Sequence, residues 1–433
     1  MTEIVSEIDS YLKRLFPICR SITGPGNRET LRILQELIPL TIYEIPSGTT
    51  VYDWTVPDEW SITDAWIATA DGKRIVDFKD NNLHVVGYSE PVNGLFSWED
   101  IASHLHIHPR IPDAIPYRTS YYYRTWGFCV TQAQYQELEQ LKGPFEVVID
   151  SELRPGSLSY GELLIPGRYS REVLLSTYIC HPSMANDNLS GMVLTAFLAR
   201  ELMNRGGLNY NYRIIFVPET IGAIAYCAVN EPMMKQILQG FVITCVGGPG
   251  QYGYKQSFNP HHSINKVIEQ VFKEEGIDYI VYPFDIHGSD ERQYSSLGLR
   301  MNIASITKDR YYEYPYYHTS LDNMNFIQPE SISRTLDIYL KVLLKLDNEK
   351  FYKNLYPNCE IMLSKHGLYP LTGGGQTPIV NGRDELDLIL WLLFLSDGLT
   401  GIYQIANQLD IEESLIISIA QKLNNAGILE HIT

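Results

Sequence analysis

Ile179-Cys180-His181-Pro182-Ser183-Met184-Ala185-Asn186-Asp187-Asn188-Leu189-Ser190-Gly191 is the stretch on which the fold turns. A strongly apolar run, Val173 to Ile179, leads into it. An apolar helical pattern, Leu189 to Leu202, leads out. The periodicity predicts a strand, a loop and a helix start. The loop holds one imidazole, His181, and one carboxylate, Asp187, six residues apart. Both stand at the C-terminal end of a predicted parallel strand, the end at which open α/β sheets collect ligands.

The same texture continues outward. From Val147 to about Asn348, predicted strands (Val173–Ile179, Arg213–Val217, Phe241–Val246, Tyr279–Tyr282, Met301–Ile306) alternate with predicted helices (Leu189–Met203, Ile264–Glu275, Ile332–Leu346). Such alternation implies an α/β unit with a mainly parallel sheet covered by helices. Upstream, Ile4, Ile8, Leu12 and Leu15 recur at helical spacing. A second helix is predicted near Asn27, with Leu31, Leu34 and Ile38 facing inward, and Thr41 to Glu44 reads as a short strand.

Between these parts the pattern changes. Residues 48–142 hold five of the six tryptophans, frequent prolines and short alternating runs, which implies a mostly β inserted domain. Its loop Ile115 to Arg124 is dense in tyrosine and arginine and suits either a pocket wall or an inter-domain seam. His104, His106 and His108 alternate and would share one face of a strand, as metal ligands or as solvated edge histidines. Residues 1–47 and 143–350 would then form the larger unit, and residues 351–433 a third. In that third unit, Leu386–Leu395, Ile402–Leu409 and Ser414–Asn425 read as helices and Gly427 to Ile432 as a strand, the order of a winged helix.

The chain has 433 residues and a net charge of −17, which opposes nucleic acid or anionic membrane as a partner through bulk charge. From Arg383 to Thr433 there are eight acidic residues and two basic ones, so the predicted winged helix suits a protein contact or dimerisation better than DNA. The acidic N-terminus lacks a secretory pattern, and no apolar run reaches the length of a membrane span. The six cysteines are scattered with no C-x-x-C pair, which suits a reduced, cytoplasmic protein.

A water-activating zinc site needs about three protein ligands, an open position and a base. His181 and Asp187 are the first candidates, against a core histidine and a plain helix cap. Glu219 follows the apolar run Arg213–Val217 and could be the base or simply open a helix. His318, in Pro315-Tyr316-Tyr317-His318-Thr319-Ser320-Leu321-Asp322, could be a third ligand or a solvated loop residue. Asp322 could orient an imidazole or cap a turn. The loop Asp285 to Arg292 could line a pocket, with His287 a weaker ligand candidate.

This order of motifs resembles the zinc aminopeptidases of the leucyl-aminopeptidase and glutaminyl-cyclase type. Closer still, it resembles bacterial aminopeptidase-like proteins with an inserted domain and a C-terminal winged helix, some labelled polysaccharide-biosynthesis proteins. Arg20-Ser21-Ile22-Thr23-Gly24, Ile115-Pro116-Tyr117 and Trp126-Gly127-Phe128-Cys129 carry the closer match. The resemblance implies His181, Asp187 and His318 as metal ligands and Glu219 as base; Tyr317, Asp290, Glu291 and Arg292 could line the substrate pocket. It also exposes departures. Ser183, Thr220 and either Thr244 or Cys245 stand where the clan has carboxylates, and Glu291 stands where it tends to have a histidine. The expectation is therefore a zinc-dependent amide hydrolase with one ion, two being the alternative. Its substrate would be a peptide or another small amide, and its C-terminal unit would serve a protein partner or a homo-oligomer. The rival expectation is a non-catalytic binding or assembly protein that retains the peptidase fold.

Overall fold

A computed structural model describes residues 3–369, 379–380 and 383–432. Its main sheet has eight strands: β1 (Thr41–Pro46), β2 (Ser157–Ile165), β3 (Glu172–Tyr178), β4 (Asn211–Val217), β5 (Gln239–Val242), β6 (Tyr252–Lys255), β7 (Tyr279–Tyr282) and β8 (Asn302–Lys308). Their spatial order is β1, β2, β4, β3, β5, β8, β6, β7. The centre, β4 to β3 to β5 to β8, is parallel. The β1–β2, β2–β4 and β6–β8 pairs are antiparallel, so the expected mainly parallel sheet is a mixed one around a parallel core.

Strand β3 explains why the organising run carries no charged side chain from Val173 to Ile179. Val173 and Leu175 face one hydrophobic core while Leu174 faces another, because successive side chains alternate across a strand. A strand covered on both faces has no polar side to show. The first core lies under α1 (Glu3–Leu15), α2 (Pro25–Gln35), α3 (Gly191–Arg205), α5 (Ser263–Glu274) and α6 (Pro329–Asp347). The second lies between the sheet, α4 (Ile221–Val229) and the inserted unit.

The inserted unit is built on a four-stranded antiparallel sheet of Arg74–Asp77, Glu59–Thr69, Phe145–Arg154 and Val92–Phe96. A division at residue 142 assigns Phe145–Arg154 to the larger unit; its hydrogen bonds join it to the smaller sheet instead. The three histidines do not share a strand. His104 stacks on Trp126 with ring centroids 3.8 Å apart, His106 ends the two-residue strand Leu105–His106, and His108 Nδ1 accepts from the N–H groups of Arg110 and Ile111. A turn that consumes the side chain of His108 removes it from any metal set with the other two.

The C-terminal unit has α7 (Glu385–Leu395), α8 (Ile402–Leu409) and α9 (Glu413–Asn425) around its own core, with a three-stranded sheet of Asp397–Gly401, Phe351–Asn354 and Leu429–Ile432. Part of the proline- and glycine-rich stretch before it, 370–378, lies outside the described residues. The unit meets the main sheet at the start of β3, where Arg171 donates to Gly398 O and stacks over Phe351. That is the end of the strand opposite His181. Among the described residues, no helix is long and apolar enough to cross a membrane.

Candidate metal centre

Three segments meet at the C-terminal edge of the parallel strands. The first follows β3 and carries His181 and Asp187, both buried. The second follows β4 and carries Glu219. The third follows β8 and carries His318. One ligand atom from each of His181, Asp187 and His318 lies within 4.8 Å of the others. His318 Nε2 is 3.1 Å from Asp187 Oδ2, and His181 Nε2 is 3.2 Å from Glu219 Oε2.

The loops are held in costly shapes. Ser183, Thr220, Cys245 and His318 all have positive φ, a region non-glycine residues seldom enter. Such strain gathers where the surroundings over-determine the backbone. For the Asp187 loop that role falls to Asp322. Its carboxylate accepts from the N–H groups of Asn186 (2.7 Å) and Asp187 (3.0 Å) and from the Tyr314 hydroxyl (2.9 Å). Burial pushes Asp322 up to about 7, against the pull of those two N–H groups. The loop of His318 is zipped to the inserted unit. Tyr117 N donates to His318 O (2.9 Å), and Ser320 N donates to Ile115 O (2.9 Å). Tyr117 then sets its ring edge-on to both His181 and His318, so the tyrosine-rich loop is a seam and a wall of the site together.

Asp187 has two unlike oxygens. Oδ1 accepts from the Tyr178 hydroxyl, which also lies 2.6 Å from Thr244 Oγ1. Oδ2 is buried with no hydrogen-bond partner, and so is His318 Nε2. Burial alone would raise the Asp187 pKa, but His181 and His318 hold it well below the usual carboxylate range. Burial would lower that of His181, yet the Asp187 charge leads a set of partners that raises it well above an ordinary histidine. The pocket is thus built to hold positive charge between an anion and imidazole nitrogens. Two histidines and one carboxylate, with two inward lone-pair atoms unmet, fit a divalent cation with a position left open.

Glu219 stands beside this set with its side chain one-quarter exposed. Its Oε1 accepts from Ser289 Oγ at 2.8 Å, and its Oε2 faces His181. Asp290 is buried, accepts from Thr220 N at 2.8 Å, and is pushed well up by burial and by the Glu219 charge. Tyr317 stacks on His318 at 3.9 Å. Glu291 and Arg292 are not brought to the centre. Glu291 is buried between Lys255 and the Tyr311 hydroxyl, and Arg292 is exposed and donates to Ile286 O. Both partners meet Oε1 of Glu291, and its Oε2 is buried without a hydrogen-bond partner. His287 is exposed and its N–H caps on Asp285.

Sequence reasoning missed Tyr178 and Arg20 as parts of the site, and reached Ser289 only as a member of a pocket-lining loop. Arg20 is buried, and its Nε donates to His181 O at 2.9 Å, bracing the backbone of the imidazole from 161 residues away. Gly24 in the same motif has φ 105, and a Cβ there would meet Trp60 O at 2.3 Å. The motif is a brace between the units, and nothing local in its sequence announces the partner.

Residues 9–349 match a family described as a domain of unknown function, DUF4910, and residues 350–431 match a winged helix-turn-helix family. A Clostridium acetobutylicum protein named "Putative polysaccharide biosynthesis protein with aminopeptidase-like domain" is 42% identical over 99% of this chain and 97% of its own length. The crystal structure of a "putative peptidase" from Clostridium acetobutylicum superposes with a TM-score of 0.80 at 40% identity, covering 99% of this chain and 97% of the other. A zinc aminopeptidase from Bacillus subtilis superposes with a TM-score of 0.58 at 11% identity, over 79% of this chain and 94% of the other. The fold is aminopeptidase-like, with a winged helix at its C-terminal end.

Proposed function

The chain belongs to the DUF4910 family, a domain of unknown function, and from that premise we propose that it is a zinc-dependent hydrolase of amide bonds. His181, Asp187 and His318 would hold one ion, and Glu219 would be the general base. The observation that carries this reading is the facing pair of buried, unpartnered atoms, Asp187 Oδ2 and His318 Nε2. The choice of zinc draws on the Bacillus subtilis aminopeptidase, which is named for that metal. One ion is favoured over two because the Tyr178 hydroxyl already occupies Asp187 Oδ1, and because Thr220 and Cys245 bring no carboxylate.

A bound zinc ion would supply a Lewis acid for the substrate carbonyl and would acidify a water molecule. The chain's own residues do the rest. Ser289 fixes one oxygen of Glu219, so that the other faces the centre and can take a proton from water and return it to the leaving nitrogen. Asp290, pushed well up by its burial and by the Glu219 charge, accepts from Thr220 N and helps to hold the turn that carries Glu219. Tyr117 and Tyr317 flank the imidazoles and narrow the approach. The substrate amide is a peptide's or that of another small molecule.

The winged helix is proposed as a protein-contact unit. The N-terminal end of α9, with Glu412 and Glu413, lines a cleft of about 1040 Å³ together with α5, and its two carboxylates oppose a phosphate backbone there. The missing carboxylates favour the rival reading, a binding or assembly protein. Purification without chelator separates the two. The enzyme reading expects about one zinc per chain and turnover of amide substrates that Glu219→Gln abolishes while the metal stays. Near-zero metal content, or a Glu219→Gln variant as active as the parent, would overturn it.

A further inference from the structure

We propose that the larger unit and the hairpin tip Tyr52-Asp53-Trp54 of the inserted unit together form a saccharide seat, a pocket of about 360 Å³, which binds a neutral sugar ring. The first observation is the tip itself. Thr50–Val51 pairs with Trp54–Thr55, which leaves a two-residue turn, Tyr52-Asp53. Such turns need positive φ and are ordinarily made by Asn-Gly or Asp-Gly. Here Tyr52 takes φ 54, an outlying choice for a bulky side chain. The strain gains no burial in return, since Tyr52 and Trp54 remain 51% and 40% exposed. Trp54 sets its edge against Tyr122, which is also exposed, with centroids 5.7 Å apart. Strained positions that display a side chain rather than bury it point to a ligand.

The second observation is the chemistry of the pocket below. Ile224 and Leu299 give it an aliphatic floor, and Asp53, Glu231, Lys235 and Gln293 give it a polar wall. Lys235 pairs with Glu231, and the Tyr52 hydroxyl also bonds Glu231. An anion would find no unpaired cation, and a cationic ligand would meet Lys235. What remains is exposed ring faces together with donors and acceptors in mixture. A pyranose matches both parts: its C–H faces lie on aromatic rings, and each hydroxyl donates and accepts at once. The volume is at the lower end of small-molecule sites, roughly 300–1,000 Å³.

The third observation is placement. Ile224 lies on α4, the helix that opens just after Glu219, and Gln293 lies in the short helix that follows Asp290. The seat therefore flanks the candidate metal centre but shares no residue with it, so it stands or falls apart from the hydrolase reading.

The test is titration of the full-length protein with triacetylchitotriose and, separately, cellotriose, followed by tryptophan fluorescence and calorimetry. At least one trisaccharide should bind, and Trp54→Ala should weaken it by about tenfold or more. Tyr52→Gly should weaken it too, while the fold is kept, because glycine suits the left-handed position. Glu219→Gln should bind as the parent does. The proposal is overturned if neither sugar binds up to about 10 mM, or if Trp54→Ala and Tyr52→Gly leave binding unchanged. It is equally overturned if Glu219→Gln abolishes binding, or if trilysine binds in the sugars' place and needs Trp54.

Discussion

His318 Nε2 and Asp187 Oδ2 lie 3.1 Å apart, both buried and neither hydrogen-bonded. A neutral imidazole would turn a lone pair towards that carboxylate oxygen, and a shared cation would meet both. Zinc added to metal-stripped protein should therefore raise the unfolding midpoint, by roughly 2.7 kcal/mol of stability at a hundredfold excess over the dissociation constant. His318→Ala and Asp187→Asn should show no such rise. Calorimetric melting with and without metal decides the matter.

The Tyr178 hydroxyl donates to the other oxygen of Asp187. Tyr178→Phe leaves that oxygen without its donor inside a closed core. We predict a loss of about 1–3 kcal/mol in stability and metal binding weaker by about 10–100-fold. A chelator competition assay on parent and variant would read the second effect. Unchanged affinity would deny Tyr178 any part in holding the ligand.

Ser289 Oγ fixes one oxygen of Glu219 at 2.8 Å. In Ser289→Ala the base can turn, so kcat should fall while metal content is preserved and KM moves little. A net contribution of about 1.5–3 kcal/mol for a hydrogen bond to a charged group translates into roughly a tenfold to hundredfold loss. Steady-state kinetics on an amide substrate would show it, and a change confined to KM would contradict the positioning role.

At the seam with the winged helix, Glu349 is buried, with Ser263 Oγ bonding one oxygen at 2.9 Å and the other unpartnered. Burial raises its pKa from 4.5 to about 8, Glu413 adding to the rise while Ser263 and Arg171 oppose it. A raised carboxyl keeps its proton when folded and gives it up when unfolded. Its contribution is whole below about 4.5 and is lost as pH climbs through about 8. Glu349→Gln should remove that loss. The stability gap between variant and parent should therefore widen in the variant's favour from pH 4.5 to pH 8, as read by denaturant unfolding. A gap that stays constant would place a charged Glu349 in the folded protein.

The sequence makes the parallel core of the sheet legible because β3 is uncharged and buried on both faces from Val173 onward and its neighbours are built alike. His181, Asp187, Glu219 and His318 are legible as polar residues at the ends of such strands, where core packing has no use for them. Tyr178 is not legible, since a tyrosine inside an apolar strand looks like filling until its hydroxyl is seen on Asp187. Arg20 and Tyr117 act on residues far along the chain, and no local period carries that information. The allegiance of Phe145–Arg154 is hidden for a similar reason. Its alternation shows a strand but not which sheet it joins. Glu291 and Arg292 read as pocket residues because they belong to a polar loop between apolar segments, the alternative being a solvated charge run. The run in fact splits, one carboxylate turning inward to Lys255 and one guanidinium outward to solvent.

Arg171 grips the wing of the C-terminal unit just before the first residue of β3, and Tyr178 grips Asp187 at the last. The seven residues of that strand span roughly 20 Å. The C-terminal unit therefore cannot serve as a lid over a molecule held by His181 and His318. A displacement at Gly398 would travel the full length of that strand before it reached Asp187 by this route.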